Sequence, residues 1–302
     1  MSTDTPKPEA PATEETETTE TALAPVETQE QPTELANVAP SFMTTENEDG
    51  NTGLDDLGTI APPRLKIVQQ QTGAPLSDLF NNGDVVCVPA NVPVAEMQYD
   101  GPRSLNEGNP FFFTPVFFYK EWTVHNNIKL KGQEDFILGR TFDPADEIAV
   151  RATGGPKMWT GPHPEKGEEF PVRYVEHLNF VVVIAGTHPL AGVPMIYSAY
   201  KGEHKTGRNF CTLLKVRNVP LFGGQYQAVC RLRTKENQWF GLDLTNPAEG
   251  SGVDAFVRDK QRFERFKSLY HEFKAHHEKG VLRADYDTEG DAAEVSDSAA
   301  EF

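Results

Sequence analysis

The sequence predicts a mainly β protein of the α+β class. In the central part of the chain, four runs of apolar, β-branched and aromatic residues surround one segment with helical spacing. A single amphipathic helix follows, and both ends of the chain are acidic and poor in aromatic residues. Two strands, a helix and two more strands make up most of a small Greek-key barrel. We therefore expect an oligonucleotide-binding (OB) type of barrel with long insertions.

Charge divides the chain into a body and two acidic appendages. The 302 residues have a net charge of -17, of which residues 1–57 carry -13 and residues 284–302 carry -7. Subtracting both leaves +3 for residues 58–283, so the body is mildly basic although the whole chain is acidic. We expect four regions: a disordered arm over 1–57, the barrel over 58–250, a helix packed on it over 251–283 and an acidic tail over 284–302.

Short strands are predicted at the start of the body. Arg64–Gln70 is extended by pattern, and the turn signal Asn81–Asp84 precedes a strand over Val85–Val88. Val92–Met97 fits a further short strand. A later segment, from Lys129 to Pro171, has no clear periodicity, and we interpret it as a long irregular excursion.

The most aromatic stretch, Phe111–Val124, holds seven of the thirty aromatic residues. Pro115 lies within it, which predicts either an edge strand or two strands with a bulge. Alternation places Tyr119 on one face and Trp122 on the other. Two interpretations stay open. The strand is buried on both faces, as most aromatic strands are, or its rings form a platform that stacks on nucleic-acid bases.

The central block of the chain has the clearest succession of elements. Its Lys201–Arg208 segment is polar and basic, which predicts a connection. The runs around it predict strands over His177–Gly186, Val193–Tyr200, Tyr226–Thr234 and Gln238–Leu244, with a helix over Asn209–Arg217. The last two strands form a hairpin, in which alternation places Arg231 and Arg233 on the outward face.

A long helix is predicted over Asp254–Lys279. Asp254 is the expected N-cap, and Gly280 is the expected C′ residue. Five aromatic residues recur at helical spacing and form one apolar stripe that packs on the barrel. Lys and Arg residues occupy the other faces. These cations are either solvated, or extend a phosphate-binding surface, or contact a partner subunit.

The sequence has no motif for nucleotide hydrolysis, serine hydrolysis or zinc proteolysis. His276-His277 lacks acidic or Cys neighbours at ligand spacing, so we expect a surface pair and no metal. Glu203-His204-Lys205 matches the ExK fragment of metal-dependent nucleases, but no acid precedes it back to His177. We therefore expect no enzymatic activity and no cofactor, and a nuclease is the less favoured alternative.

The three cysteines, at positions 87, 211 and 230, lie in apolar runs without metal or redox spacing. Buried reduced thiols are the expected state, which fits a reducing compartment. A secretory signal and an apolar run of about 18 residues are both missing from the sequence. We expect a cytoplasmic protein without membrane contact.

Basic and aromatic residues are grouped in the central block. The basic residues are Lys201, Lys205, Arg208, Lys215, Arg217, Arg231, Arg233 and Lys235, and the nearby aromatic residues are Tyr200 and Trp239. Cations that follow phosphates beside rings that stack on unpaired bases suit single-stranded nucleic acid. The alternative is a set of solvated strand edges, where Lys and Arg prevent aggregation.

The acidic tail decides between these interpretations. Asp285–Phe302 is acidic, rich in small residues and closes on Phe302. It resembles the C-terminal peptides of bacterial and tailed-phage single-stranded DNA-binding proteins. The resemblance implies that the tail covers the DNA groove when DNA is absent, and that Phe302 docks on replication proteins.

The body resembles a family of phage-encoded proteins. The similarity rests on the Pro-Arg-Leu-Lys start at Pro63–Lys66, the Lys…Gly-Arg element at Lys205–Arg208 and the aromatic strand pair over Tyr226–Leu244. It implies a single-stranded DNA-binding protein of phage replication or recombination, located in the host cytoplasm. Homo-oligomerisation stays open, and the alternative from another class is a virion or scaffold protein that assembles through its β edges.

Overall fold

A computed structural model describes residues 60–70, 72, 76–89, 105, 109–130, 135–234 and 238–286. The N-terminal arm, the strand expected at Val92–Met97, Lys235 and Phe302 lie outside these ranges. Within them, no helix is long and apolar enough to cross a membrane.

Nine strands and four α-helices build the described part of the chain. The strands are β1 (Arg64–Ile67), β2 (Val85–Val88), β3 (Phe111–His125), β4 (Ile137–Thr141), β5 (Thr160–His163), β6 (Gly167–Ile184), β7 (Pro194–Ala199), β8 (Tyr226–Thr234) and β9 (Gln238–Thr245). The helices are α1 (Leu76–Leu79), α2 (Glu147–Thr153), α3 (His204–Arg217) and α4 (Lys260–Glu278).

The strands form one mixed sheet in the order β2-β1-β7-β6-β3-β8-β9, with β4 beside β3 and β5 beside β6. The β1–β7 pair is parallel and the other pairs are antiparallel. The sheet curls into a half-barrel. Across its opening, the Gln69 amide donates to Phe240 O at 2.8 Å and accepts from Phe240 N at 2.7 Å. The predicted mainly β class is confirmed, whereas this strand order does not by itself establish an OB barrel.

The sheet is packed on both faces. Inside the curl, Phe210 of α3 belongs to one core cluster with residues from both ends of the sheet, such as Leu65 of β1 and Leu242 of β9. On the outer face, Phe266 and Phe273 of α4 cover β3, β6 and β7. The long helix does pack on the sheet through its aromatic residues, but Phe256, which was expected in the stripe, lies before the helix and is 39% exposed.

The aromatic strand β3 is a central strand. It pairs with β6 along almost its whole length, and its other edge pairs with β8 and β4. The pairing shifts by one residue between Pro115 and Phe117, so the predicted bulge is present, but it lies within one continuous central strand and not in an edge strand or between two strands. Tyr119 and Trp122 are only 3% and 4% exposed. Both rings therefore belong to the core, and the stacking platform proposed for them does not exist in this fold.

The irregular excursion expected between Lys129 and Pro171 is instead largely regular structure over its described residues, 129–130 and 135–171. It contains β4, α2, β5 and the start of β6. The β5–β6 turn is closed by His163, whose Nδ1 accepts from Glu165 N and Lys166 N at 3.1 Å each. These strands carry polar residues on both faces, so the apolar alternation that identifies a strand in the sequence is missing.

Two helix boundaries also differ from the prediction. Helix α3 begins at His204 and a 3-10 turn over Lys201–Glu203 precedes it, so the whole of the expected Lys201–Arg208 connection is helical. Helix α4 begins at Lys260, where Asp259 accepts from Arg262 N as N-cap. Residues 254–256, which were expected in the helix, lie outside it, because the Gln225 side chain donates hydrogen bonds to the carbonyls of residues 254 and 256. Gly280 has a φ of 71°, as a C′ glycine requires.

Candidate nucleic-acid interface

Helix α3 lies against β6 and β7 at very short range. Gly207 makes this approach possible, because a Cβ at this position would lie 2.6 Å from Ala199 Cβ and 3.0 Å from Leu178 Cδ1. Phe210, one turn later, is buried in the inner core. The helix ends at Asn218, which adopts a left-handed conformation (φ 49°, ψ 39°). The outward face of α3 is therefore set by tight packing on its inward face.

We expect Gly207→Ala to destabilise the protein by about 1–3 kcal/mol, because the added methyl overpacks the contact with Ala199 and Leu178. Helix propensity alone predicts the opposite sign, a gain of about 1 kcal/mol. Chemical unfolding measures the difference. Asn209→Ala, at an exposed position of the same helix, is the control and should change stability by less than about 0.5 kcal/mol. A more stable Gly207→Ala protein would contradict the packing.

The solvent face of α3 is basic. Lys205, Arg208 and Lys215 are exposed along it, and the helix contains no acidic residue. Lys201 is exposed in the turn that precedes the helix and has a positive φ of 47°. Four of the predicted binding cations thus follow one helix and its leading turn.

Glu203 connects the start of α3 to the β8–β9 hairpin. Its Oε2 accepts from Tyr197 OH at 3.1 Å and from Leu242 N at 2.9 Å. Burial raises the pKa of this carboxyl, opposed by the Leu242 N–H. In the ExK triplet, His204 contacts Glu176 Oε2 at 2.7 Å. Glu203 and His204 are thus engaged within the protein, and the described residues contain no group of three or more side chains that could hold a metal ion.

The leading turn of α3 packs on the hairpin. A Cβ at Gly202 would lie 3.3 Å from Trp239 Nε1, so the turn and the indole are in contact. Trp239 is half-buried and lies opposite Arg233 in the β8–β9 pairing. The structure therefore brings the turn that contains Lys201 next to Arg233 and Trp239, although Lys201 precedes both by more than 30 residues in the sequence.

Arg231 and Arg233 share one acidic partner. Arg231 Nε lies 3.0 Å from Asp243 Oδ2, and Arg233 NH2 lies 2.6 Å from Asp243 Oδ1. One carboxylate thus offsets one of the two positive charges. The sequence analysis missed Asp243, although alternation in the second strand of the hairpin places it on the same face as both arginines.

Arg217 has a structural role and does not face the α3 basic residues. It donates to Gln225 O at 3.1 Å and to Ala255 O at 2.8 Å. Its guanidinium also lies 4.6 Å from the Tyr226 ring centroid and 4.8 Å from that of Phe256. These contacts hold the segment before α4, so its predicted role in DNA binding is not supported by its surroundings.

Tyr200 lies where the acidic tail leaves the body. Its ring is half-buried, 4.7 Å from the His177 ring and 6.4 Å from the ring of Tyr286. Lys201 Nζ lies 5.8 Å from the Tyr200 ring centroid. Tyr286 is the last residue that the structure describes, and Asp287 follows it in the sequence. The root of the tail is therefore next to the first cation of the basic region.

A buried polar cluster surrounds Tyr286, and the sequence analysis did not predict it. Glu121 is fully buried, 3.2 Å from Arg140 NH1, and accepts from Asn179 Nδ2 at 3.1 Å. Burial raises the pKa of Glu121 to about 7, although Arg140 opposes the shift. Burial also lowers the pKa of His177 well below its ordinary value. The only signal in the sequence is an acidic residue within an aromatic strand.

Comparisons with known proteins do not identify a relative. The chain matches no family model, and no curated protein and no solved structure is significantly similar to it. The described side chains are therefore the basis for assigning a function.

Proposed function

We propose that the protein binds single-stranded DNA through a basic surface, defined as Lys201, Lys205, Arg208, Lys215, Arg231, Arg233 and Trp239. The main support for this proposal is the solvent face of α3, which presents three cations and no acid in a chain with a net charge of -17. The contact between Gly202 and Trp239 joins this face to the β8–β9 hairpin.

The chemistry of the surface suits an unpaired strand. Lysine and arginine heads bind phosphate oxygens by charge-assisted hydrogen bonds, whatever the base sequence. Helix α3 has 14 residues and is about 21 Å long, so its cations can contact several successive phosphates. Trp239 and Tyr200 are half-buried, and their exposed parts offer rings for base stacking.

The finer assignments belong to the same proposal. We interpret the half-barrel as an OB-like scaffold, and the protein as an accessory factor of phage DNA replication or recombination. The acidic tail would recruit replication proteins through Phe302. A virion or scaffold role, with assembly through β edges, is the second candidate, but the acid-free face of α3 favours nucleic acid.

Fluorescence anisotropy with a labelled oligonucleotide tests the proposal. Binding should weaken with salt, with a log-log slope of about -0.7 for each phosphate neutralised. The labelled strand should stay intact in magnesium, since Glu203 is engaged within the protein. Absence of binding at low salt would contradict the proposal, and magnesium-dependent cleavage would revive the nuclease alternative.

We also expect the tail to compete with DNA. The 16 residues after Tyr286 include six acids and can span at most about 55 Å, more than twice the length of α3. Deleting residues 287–302 should therefore tighten DNA binding at low salt, and high salt should remove the difference. Anisotropy titrations of the two proteins measure the effect.

The control for this deletion keeps the length of the tail and removes its charge. It replaces each acid by its amide at Asp287, Glu289, Asp291, Glu294, Asp297 and Glu301. The amide variant should bind DNA as tightly as the deletion. Weaker binding after either change would contradict competition.

A further inference from the structure

A segment after α4 inserts Tyr286 into the outer face of the sheet. We call residues 281–286 the strap. Ile60 N donates to Val281 O at 2.8 Å, and Arg283 N donates to Ile60 O at 3.0 Å. These bonds hold the strap beside the start of the body. At its end, Tyr286 is fully buried among side chains of β1, β3, β6 and β7.

The Tyr286 ring lies in a pocket that can hold a flat ring. We define the Tyr286 pocket by Arg64, Glu121, His177, Asn179, Ser198 and Tyr200. The ring centroid of Tyr286 is 4.1 Å from that of His177, and the Arg64 guanidinium carbon is 4.8 Å from it. Imidazole and guanidinium planes are the groups on which aromatic rings stack.

Polar groups surround the outer end of that ring. Tyr286 OH lies 3.1 Å from Glu121 Oε2, 2.9 Å from Asn179 Nδ2, 3.1 Å from Asn179 Oδ1 and 3.4 Å from Ser198 Oγ. A phenol hydroxyl donates one hydrogen bond, so it cannot donate to the acid and to the amide oxygen together. The groups around the hydroxyl also bond to one another, since Ser198 Oγ donates to Asn179 Oδ1 and Asn179 Nδ2 donates to Glu121 Oε2. The pocket therefore presents a connected set of donors and acceptors to its occupant.

The polarity of this pocket is more than packing requires. Glu121 and His177 are fully buried, and His177 Nδ1 has no hydrogen-bond partner in the described part of the chain. Burying charged and polar groups is costly, and apolar residues of similar volume are often neutral or more stable in their place. Buried titratable groups around a space that fits a flat ring are instead typical of a ligand site.

We propose that the Tyr286 pocket binds one unpaired nucleobase, and that Tyr286 occupies it when DNA is absent. This inference rests on the proposed function. A base is a flat ring whose edge mixes donors and acceptors, which matches the amide of Asn179, the hydroxyl of Ser198 and the carboxyl of Glu121. Tyr200 lines the pocket, and Lys201 Nζ lies 5.8 Å from its ring centroid, so the site adjoins the basic surface. Residues 287–302 of the acidic tail follow Tyr286 directly, so DNA that displaces them would also favour release of Tyr286.

Tyr286→Ala in the full chain tests the pocket. Deoxyadenosine, which has no phosphate, should bind this variant at least about tenfold more tightly than the wild type, as expected for one stacked base. Adding Asn179→Ala should remove the gain. Titration calorimetry measures both. p-Cresol, which replaces the lost side chain, and inorganic phosphate serve as competing probes. If the variant binds p-cresol but not deoxyadenosine, the pocket is only a structural cavity. If the variant binds only phosphate, the pocket is an anion site. Either result would overturn the proposal.

A measurement on the wild type does not depend on how the variant folds. Saturating oligothymidylate of about 20 nucleotides should accelerate hydrogen exchange at the amides of residues 281–286, since the strap must release Tyr286. If the protein binds the oligonucleotide but exchange at these amides is unchanged or slower, the nucleobase pocket is contradicted and the proposed function is not. Failure of the wild type to bind any oligonucleotide contradicts the proposed function. Tighter deoxyadenosine binding by Tyr286→Ala would still support the pocket in that case.

Discussion

Replacing Lys205, Arg208 and Lys215 together by alanine should weaken binding to single-stranded DNA about a hundredfold at about 0.1 M salt. Each lost phosphate contact removes about 0.7 from the log-log salt slope, so the slope should become shallower by about 2. All three side chains are exposed, and stability should stay within about 0.5 kcal/mol of the wild type. Anisotropy titrations over a salt series measure affinity and slope together.

A matched variant separates the basic surface from general charge. Lys260, Lys267 and Lys274 are exposed on α4, so their replacement by alanine removes the same three charges elsewhere. This control should bind DNA nearly as well as the wild type. An equal loss in both variants would mean that charge acts without a defined surface, or that α4 extends the binding face.

Arg231→Ala with Arg233→Ala should have a smaller effect than the α3 variant. Both arginines pair with Asp243, so part of their positive charge is already neutralised in the wild type. Removing them lowers the local charge by two and leaves the Asp243 carboxylate without these partners. We expect a slope change below about 1.4, the value for two independent phosphate contacts. A larger change would show that Asp243 does not compete with DNA for these side chains.

Glu121→Gln should remove a pH-dependent contribution of about 3 kcal/mol from the free energy of unfolding. The pKa of Glu121 is about 7 in the folded protein, because burial disfavours the carboxylate more than Arg140 favours it. A pKa raised on folding contributes stability that is present below the unfolded value, 4.5, and lost as pH rises through about 7. Glutamine cannot ionise, so the variant should gain relative to the wild type between about pH 5 and pH 8.

Urea unfolding across this pH range measures the difference between the two proteins. The buried His177 has a lowered pKa, so the stability that it contributes is lost as pH falls, opposite to the effect of Glu121. His177 is present in both proteins, so its contribution cancels in the difference. Glu264→Gln, at an exposed position of α4, is the control and should give a difference that does not vary with pH. A constant difference for Glu121→Gln would mean that Glu121 stays charged in the fold.

Local patterns were sufficient for most of the strands. The alternation in β8 and β9, the turn signal before β2 and the apolar run of β6 each predicted an element that the structure contains. These patterns succeed because period and turn chemistry depend on neighbouring residues. They failed for β4 and β5, where polar residues lie on both faces, and for α2, a seven-residue helix whose buried face, Ala149 and Ala152, is too short to show a period.

The candidate site was predicted in part. Lys205, Arg208 and Lys215 lie on one exposed face, as a basic surface requires. Arg217 and Tyr119 have the right residue types but lie among structural contacts, which the sequence does not reveal. The side chain of an arginine or tyrosine serves a core and a binding surface equally well, so composition cannot separate these roles.

By itself, the sequence determined the distribution of charge, the mainly β class and the basic character of the segment that became α3. Only the tertiary structure decided which cations are exposed, which are paired and which hold the fold together. It also placed Tyr286 in a pocket built from strands more than 80 residues away. The physical reason is that burial and pairing arise from contacts between distant segments, whereas charge and periodicity are properties of the chain before it folds.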